Sequence, residues 1–350
     1  MKRVGYIYEK ICSIDNIKRA ILKASECKRS RPNVKKILDD MDGYARKIQR
    51  MLKNHSYIPS PYQISVIHDN CAGKDRTIYK PKFYPDQIIH WSLMLQLQAP
   101  IMRGMYAWSC GSIPGRGIHY CKKHIEKIIR QDRKNTKYCL KMDISKFYPS
   151  INKDLLKTSF RSLIKDGEAL WLIDTIIDSS EVGIPIGNYT SQWFANWYLQ
   201  SLDHYIKEVL HVKYYYRYVD DMVFIGLSQQ ECYFLLNLCI EFLNDNLGLN
   251  LSKWKIQSLH RSINFCGYRT NRYYRLIRKR SLKTFNNGLT YYDYDTIESV
   301  LAHAENSASY NFLMKKLQPL HDFLPKHLKR RINKWQSIHS SLPMELTGTA

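Results

Sequence analysis

Residues 213–226 read KYYYRYVDDMVFIG, and this run constrains the fold more than any other part of the chain. Two adjacent carboxylates, Asp220 and Asp221, stand between two apolar, β-prone segments. That pattern predicts a hairpin with the acidic pair at its tip. Crowding two like charges is costly unless a cation neutralises them. Hard oxygen ligands of this kind suit Mg²⁺, which takes one or two carboxylates and completes its shell with substrate phosphates. A third carboxylate, Asp143 in LKMDISKFYPSI, follows another short strand-like stretch. Strand-borne aspartates in this number are the parts a two-metal phosphoryl-transfer site requires.

Charge points the same way. The 350 residues carry 54 Lys+Arg against 31 Asp+Glu, a formal net charge of +23. Such an excess suits a polyanion, nucleic acid foremost, and makes binding steeply salt-dependent. An anionic membrane fits less well, because no uninterrupted apolar run is long enough to span a bilayer. The N-terminus, MKRVGYIYEKICSIDN, lacks the apolar core of a signal peptide. Cysteines stand at 12, 27, 71, 110, 121, 139, 232, 239 and 266, with no CxxC pair. An odd number without framework spacing predicts reduced thiols in a cytosolic compartment. The 12 histidines show no paired zinc-site spacing. Some of the 26 tyrosines could stack on bases, while most are expected to pack within the fold.

Along the chain, three- and four-residue apolar steps predict helices within 14–53, broken at the basic CKRSRP. Residues 57–80 read as two extended segments around a turn at CAGKD. A helix is expected from Asp86 to about Leu97, stopping near Pro100. GSIPGRG at 111–117 is too loose for a phosphate-binding P-loop. A plain turn and a direct phosphate or template-backbone contact are both open for it. Residues 138–145 form the strand of Asp143, 152–180 a helix, and 190–210 a long amphipathic helix. The hairpin follows, then a helix over about 229–247 and short strands over 249–269. Beyond Arg269 the chain is densely basic and helical, broken at Pro319 and Pro325. Phe312, Leu313, Leu317, Leu320 and Leu324 argue against disorder there.

Taken in order, four elements resemble the reverse transcriptases over about Ile14 to Tyr268. They are the strand ending at Asp143 before SKFYPSI, the loop-to-helix GIPIGNYTSQWFANWYL, the YVDD hairpin and the FCGY turn. The resemblance implies an α+β right-hand polymerase. An N-terminal helical segment and fingers would occupy 1–130, a palm with an antiparallel sheet 131–268, and a basic helical thumb 269–350. No RNase H, endonuclease or maturase domain is expected.

The same resemblance implies roles. Asp143 and Asp220 would hold two Mg²⁺ ions, with Mn²⁺ as a substitute and the Ile144 carbonyl as a further ligand. Asp221 would be the supporting carboxylate. Tyr148, five residues after Asp143, would be the aromatic gate that crowds a 2′-hydroxyl. Arg76 would contact the incoming nucleotide, with Lys80 and Lys82 as neighbours, since a guanidinium bonds phosphate bidentately. Lys253 falls where the family often places a lysine near the triphosphate, and Lys255 competes for that place. Gly267 would form the primer-grip turn, where glycine permits a close backbone approach.

The chain departs from the family's common pattern in two places. Pro185 is followed by Ile186, where many members have glutamine, and Ser191 by Gln192, where they have proline. This variant resembles the reverse transcriptases of diversity-generating retroelements, and occurs in related bacterial defence enzymes. Gln87 follows Asp86, where the family commonly has arginine. The resemblance then implies an RNA-directed DNA polymerase copying a template RNA from a primer with dNTPs. A structured non-coding RNA and a small accessory protein would assist it, in a bacterial or phage-encoded cytoplasmic setting without a membrane. A defence enzyme making templated or untemplated DNA is the alternative. A non-catalytic RNA-binding scaffold on the same fold is the third reading, opposed by the intact Asp143, Asp220 and Asp221.

Overall fold

A computed structural model describes residues 3–69, 74–226 and 228–340. The chain divides into two compact units. The first comprises the residues up to His124 together with Lys134–Ser258, and the second comprises Ile125–Arg133 together with the chain from Leu259 onward.

The centre of the first unit is a four-stranded antiparallel sheet. Its strands are β3 (Tyr138–Ile144), β4 (Tyr214–Tyr218), β5 (Asp221–Gly226) and β6 (Leu251–Ser258), in the order β4-β5-β3-β6. Met222, Val223, Phe224 and Ile225 are all buried, as a strand covered on both faces demands. β6 lies at the edge and carries Lys253 and Lys255, charges that suit a strand with one unpaired side. Helix Gln229–Leu247 packs against β3, β5 and β6. Ser228 caps its start by accepting the Glu231 N–H, and Gly248 ends it in the left-handed conformation. A separate hairpin pairs β1 (Gln63–Asp69) with β2 (Lys74–Lys80). The expected turn at CAGKD lies largely outside the described residues.

Three helices differ from expectation. Helix Ile88–Arg103 runs through Pro100 instead of stopping there. Its buried residues Leu93, Leu97 and Ile101 continue past the proline, so apolar burial outweighs one lost backbone hydrogen bond. The helix expected over 152–180 is two, Lys153–Leu163 and Gly167–Asp178. Between them, Val4 bonds the backbone of Leu163 and Lys165, and the Asp166 carboxylate accepts the N–H groups of Ile7, Tyr8 and Ala169. These are long-range contacts that periodicity does not register. The segment after Asn188 is likewise broken, into Tyr189–Tyr198, Gln200–His204 and a π-turn at Tyr205–Val209.

The second unit holds a three-stranded sheet of β7 (Ile263–Phe265), β8 (Tyr268–Thr270) and β9 (Arg275–Ile277). Helices Lys279–Thr290, Tyr294–Ala304, Ser309–Leu317 and Lys326–Ser340 follow. Leu313, Leu317, Leu324, Leu328 and Ile332 are buried among them, while Phe312 and Leu320 remain exposed. Among the described residues, no helix is long and apolar enough to cross a membrane.

The expectation of reduced thiols fails at one pair. Cys110 and Cys121, 11 residues apart, form a disulfide with Cα atoms 6.3 Å apart. Disulfides are rare in reducing compartments. Cys12, Cys27, Cys139, Cys232, Cys239 and Cys266 are free thiols, and Cys71 lies outside the described residues.

Candidate active site

Strand register assembles the carboxylates. Asp143, near the end of β3, lies directly opposite Asp221, the first residue of β5. Such cross-strand neighbours bring like charges within about 5 Å at Cβ, an arrangement that needs neutralising. Two lysines do part of this. Lys141 precedes Asp143 by two residues, on the same face, and its Nζ lies 2.9 Å from Asp221 Oδ2. Lys253 of β6 is in register with Asp143, and its Nζ lies 3.5 Å from Asp143 Oδ2. Ser252 Oγ donates to the same carboxylate at 2.8 Å. Between Asp143 and Ile144 the β3–β6 register shifts by a bulge, which re-aims the Ile144 backbone.

Asp220 sits in the two-residue turn between Tyr218 and Asp221, which pair across the hairpin. Its carboxyl is pushed up to about 6, first by burial and further by the charges of Asp143 and Asp221; a backbone hydrogen bond and Arg76 oppose the shift. Three charged groups thus surround Asp220. Burial and the Asp220 charge also push the Tyr148 phenol up to about 12, while Arg76 opposes. Arg76 and Tyr148 therefore belong to the same electrostatic cluster as the aspartates.

Arg76, Lys80, Tyr148, Ile186 and Gln192 line one cleft of about 1060 Å³. Lys28, Arg31 and Lys82 add positive charge to its walls. One wall is made by backbone contact. The Tyr79 N–H donates to the Ile186 carbonyl at 2.7 Å. Gly187 has φ +137°, and a Cβ there would lie 2.1 Å from the Tyr79 carbonyl oxygen. Only glycine allows β2 to approach the loop so closely. Gln87, the departure from the family's arginine, accepts from Lys28 Nζ at 2.7 Å.

Five of the six residues expected at the nucleotide thus share one cleft, whereas Lys253 reaches the carboxylates instead. Register also separates Lys253 from its competitor, because Lys255 lies opposite Lys141. Gly267 belongs to the second unit, in the β7–β8 turn, with φ +84°. The loop at 111–117 is held as a turn by an Ile113–Arg116 bridge, with Arg116 Nη1 bonded to the Tyr106 carbonyl.

Sequence reading missed Lys141 and a buried group beside the turn, Arg217, Asp203 and Asn196. A signal for each existed. Lys141 shares the Asp143 face at a spacing of two, and Arg217 is a lone cation in the apolar run YYYRY.

The donor set can be tested against a divalent cation. Asp143 and Asp220 are hard carboxylates whose mutual repulsion a cation would relieve. Among the described residues no group of three or more His, Cys, Asp or Glu side chains forms a complete metal cage. Two carboxylates fit an ion that finishes its shell on substrate phosphates.

The sequence model of the reverse transcriptase (RNA-dependent DNA polymerase) family matches residues 88–270, more than half of the chain. The chain belongs to this family. It is 29% identical over 205 residues to the retron Ec73 reverse transcriptase of Escherichia coli, a stretch that is 53% of this chain and 61% of that protein. The chain thus spans less than two thirds of that relative's length. Among solved structures, the telomerase of Candida albicans, in complex with a fragment of telomeric RNA, matches with a TM-score of 0.51 at 12% identity. The match covers 75% of this chain and 54% of that one. At such identity the likeness speaks for the fold alone, the mixed helix-and-sheet right hand of polymerases. Members of the family generally use divalent metal ions.

Proposed function

We propose that this chain is an RNA-directed DNA polymerase that extends a primer by nucleotidyl transfer at Asp143 and Asp220. One observation carries the reading: Asp143, Asp220 and Asp221 form a single electrostatic cluster with Arg76 and Tyr148. Two Mg²⁺ ions, or Mn²⁺ in their place, held by Asp143, Asp220 and the Ile144 carbonyl, would supply neutralisation of the transferring phosphoryl group and a more acidic primer 3′-hydroxyl. The protein's own residues do the positioning. Arg76 and Lys80 bind the triphosphate of the dNTP, and a guanidinium does so bidentately. Tyr148 crowds the sugar and excludes a 2′-hydroxyl. Ile186 and Gln192 face the incoming nucleotide. Lys141 holds Asp221, and Lys253 holds Asp143. Gly267 shapes the backbone turn that supports the primer. The net charge of +23 suits the template RNA and the growing cDNA.

The retron relative supports a bacterial retroelement enzyme. A second reading, cDNA synthesis for gene diversification with a small accessory protein, rests on Ile186 and Gln192. Replacing a polar nucleotide contact by isoleucine weakens geometric selection of the correct pair.

The test is primer extension on a defined, adenine-containing RNA with Mg²⁺ and dNTPs, followed by sequencing of the products. Product that disappears in Asp220→Ala supports the polymerase, and product that persists in that variant refutes the site. Errors concentrated opposite adenine, reduced in Ile186→Gln, select the diversifying reading. An accurate copy, unchanged by Ile186→Gln, selects the retron-like one.

A further inference from the structure

The turn that carries Asp220 is held by residues outside the carboxylate cluster. Arg217 of β4 is fully buried, as is Asp203. A guanidinium stays charged in a protein, so its donors must all be met. Nε lies 2.8 Å from Asp203 Oδ1 and Nη2 lies 2.5 Å from Oδ2, a bidentate pair. Nη1 lies 3.0 Å from Asn196 Oδ1 and 3.0 Å from the Val219 carbonyl oxygen. A buried ion pair gives little net stability over well-packed apolar residues. What this one adds is a donor aimed at the carbonyl immediately before Asp220.

Val219 needs such a hold. Its φ is +57°, a region that a β-branched residue keeps only when its surroundings impose it. Gly111 closes the other flank: a Cβ there would lie 2.5 Å from Val219 Cγ2 and 2.7 Å from its nitrogen. The two flanks are joined. Asn196 Nδ2 donates to the Gly111 carbonyl at 2.9 Å, and the Cys110 N–H donates to the Arg217 carbonyl at 2.8 Å. The Val219 carbonyl and the Asp220 N–H belong to one rigid peptide plane. Fixing that carbonyl therefore fixes how Asp220 leaves the turn.

We propose that Arg217, anchored by Asp203, and Gly111 are positioning residues that impose the left-handed Val219 and so aim the Asp220 carboxylate at its cation. This rests on the reading of Asp220 as a metal-binding carboxylate. The test uses the full chain and three readouts: thermal unfolding, Mn²⁺ binding followed by electron paramagnetic resonance without substrate, and kcat against KM for dNTP. The paired replacement Arg217→Met with Asp203→Leu removes the donor without stranding a charge. Gly111→Ala presses on Val219 and leaves the ion pair alone. Both are expected to weaken Mn²⁺ binding about tenfold and lower kcat about a hundredfold, the size of a misplaced reacting group, with KM for dNTP nearly unchanged. Asp203→Leu also removes the acceptor of the buried Tyr215 hydroxyl, 2.8 Å away, so thermal unfolding of the paired variant is expected to fall while the protein still folds. Wild-type Mn²⁺ affinity and kcat in a folded paired variant would overturn the positioning role. If the paired variant does not fold, Gly111→Ala decides alone: weakened Mn²⁺ binding upholds the role and unchanged binding overturns it. A wild-type protein that fails to bind Mn²⁺, or binding that persists unchanged in Asp220→Asn, overturns the metal reading itself, and the positioning role with it.

Discussion

The β4–β5 and β7–β8 hairpins are each closed by two residues, and they reach the turn by opposite routes. In β7–β8, Phe265 pairs with Tyr268 and the turn is Cys266–Gly267, both at positive φ. Two positive values match the twist of a tight hairpin, and glycine supplies one of them without steric cost. The β4–β5 turn is Val219–Asp220, with no glycine. There the positive φ falls on a β-branched residue, and the hold comes from Arg217 and from the missing Cβ of Gly111. The first turn is written locally. The second is imposed from 2 and 108 residues away along the chain. A strained turn over-determined by its surroundings is what a site that must aim a charge requires.

The comparison can be broken in four ways. The largest effect is expected at Asp220. Asp220→Asn should lower primer extension by at least about a thousandfold, about 4 kcal/mol in the barrier. Extension within tenfold of wild type would remove Asp220 from the chemistry. Next is Gly267→Ala. Its φ is +84°, and the added Cβ would meet the His303 ring at 2.8 Å. A loss of about 1–3 kcal/mol should appear in denaturant unfolding. No loss would mean that the local turn is freer than its geometry.

Val219→Gly should do the reverse at the other turn. Relief of the left-handed strain leaves stability unchanged or raises it by under about 1 kcal/mol, while extension falls about tenfold as the turn loosens. A fall in stability instead would show that Val219 is held by packing and not by the carbonyl bond. The smallest effect concerns pH. The Asp220 carboxyl, raised to about 6, is more easily ionised in the unfolded chain than in the fold. Its contribution to metal-free stability is therefore complete below the ordinary value near 3.8 and is lost as pH rises through about 6. Asp220→Asn should flatten that part of the stability profile. Cation binding runs the other way, weakening about tenfold per unit below pH 6, because the proton must leave first. A cation affinity independent of pH between 5 and 7 would contradict the raised value.

Much of the site was legible in sequence because it is local. The acidic pair between β-prone runs, the apolar strand ending at Asp143 and the CG turn are short-range patterns. Their side-chain directions follow from a period of two. Arg76, Lys80, Tyr148, Ile186 and Gln192 were read as one nucleotide site, and they share one cleft. Lys253 was read toward the triphosphate but lies on Asp143, because β3–β6 register, invisible in sequence, sets its neighbour. The Cys110–Cys121 disulfide was missed for the same reason, since its spacing of 11 follows no framework rule. Helix Ile88–Arg103 continued through Pro100 because tertiary burial outbid a local stop signal.

Taken alone, the amino-acid sequence determined a strongly basic chain with aspartates set beside β-prone runs, since composition, period and turn chemistry act over a few residues; the polymerase fold was implied by its resemblance to the reverse transcriptases. Only the tertiary structure decided which lysine neutralises which aspartate, that Gly187 admits β2 to the cleft, that Asp203 anchors Arg217, and that Gly111 closes on Val219. Those are relations between segments far apart in the chain. Their energies come from burial and from hydrogen bonds completed only when the segments meet.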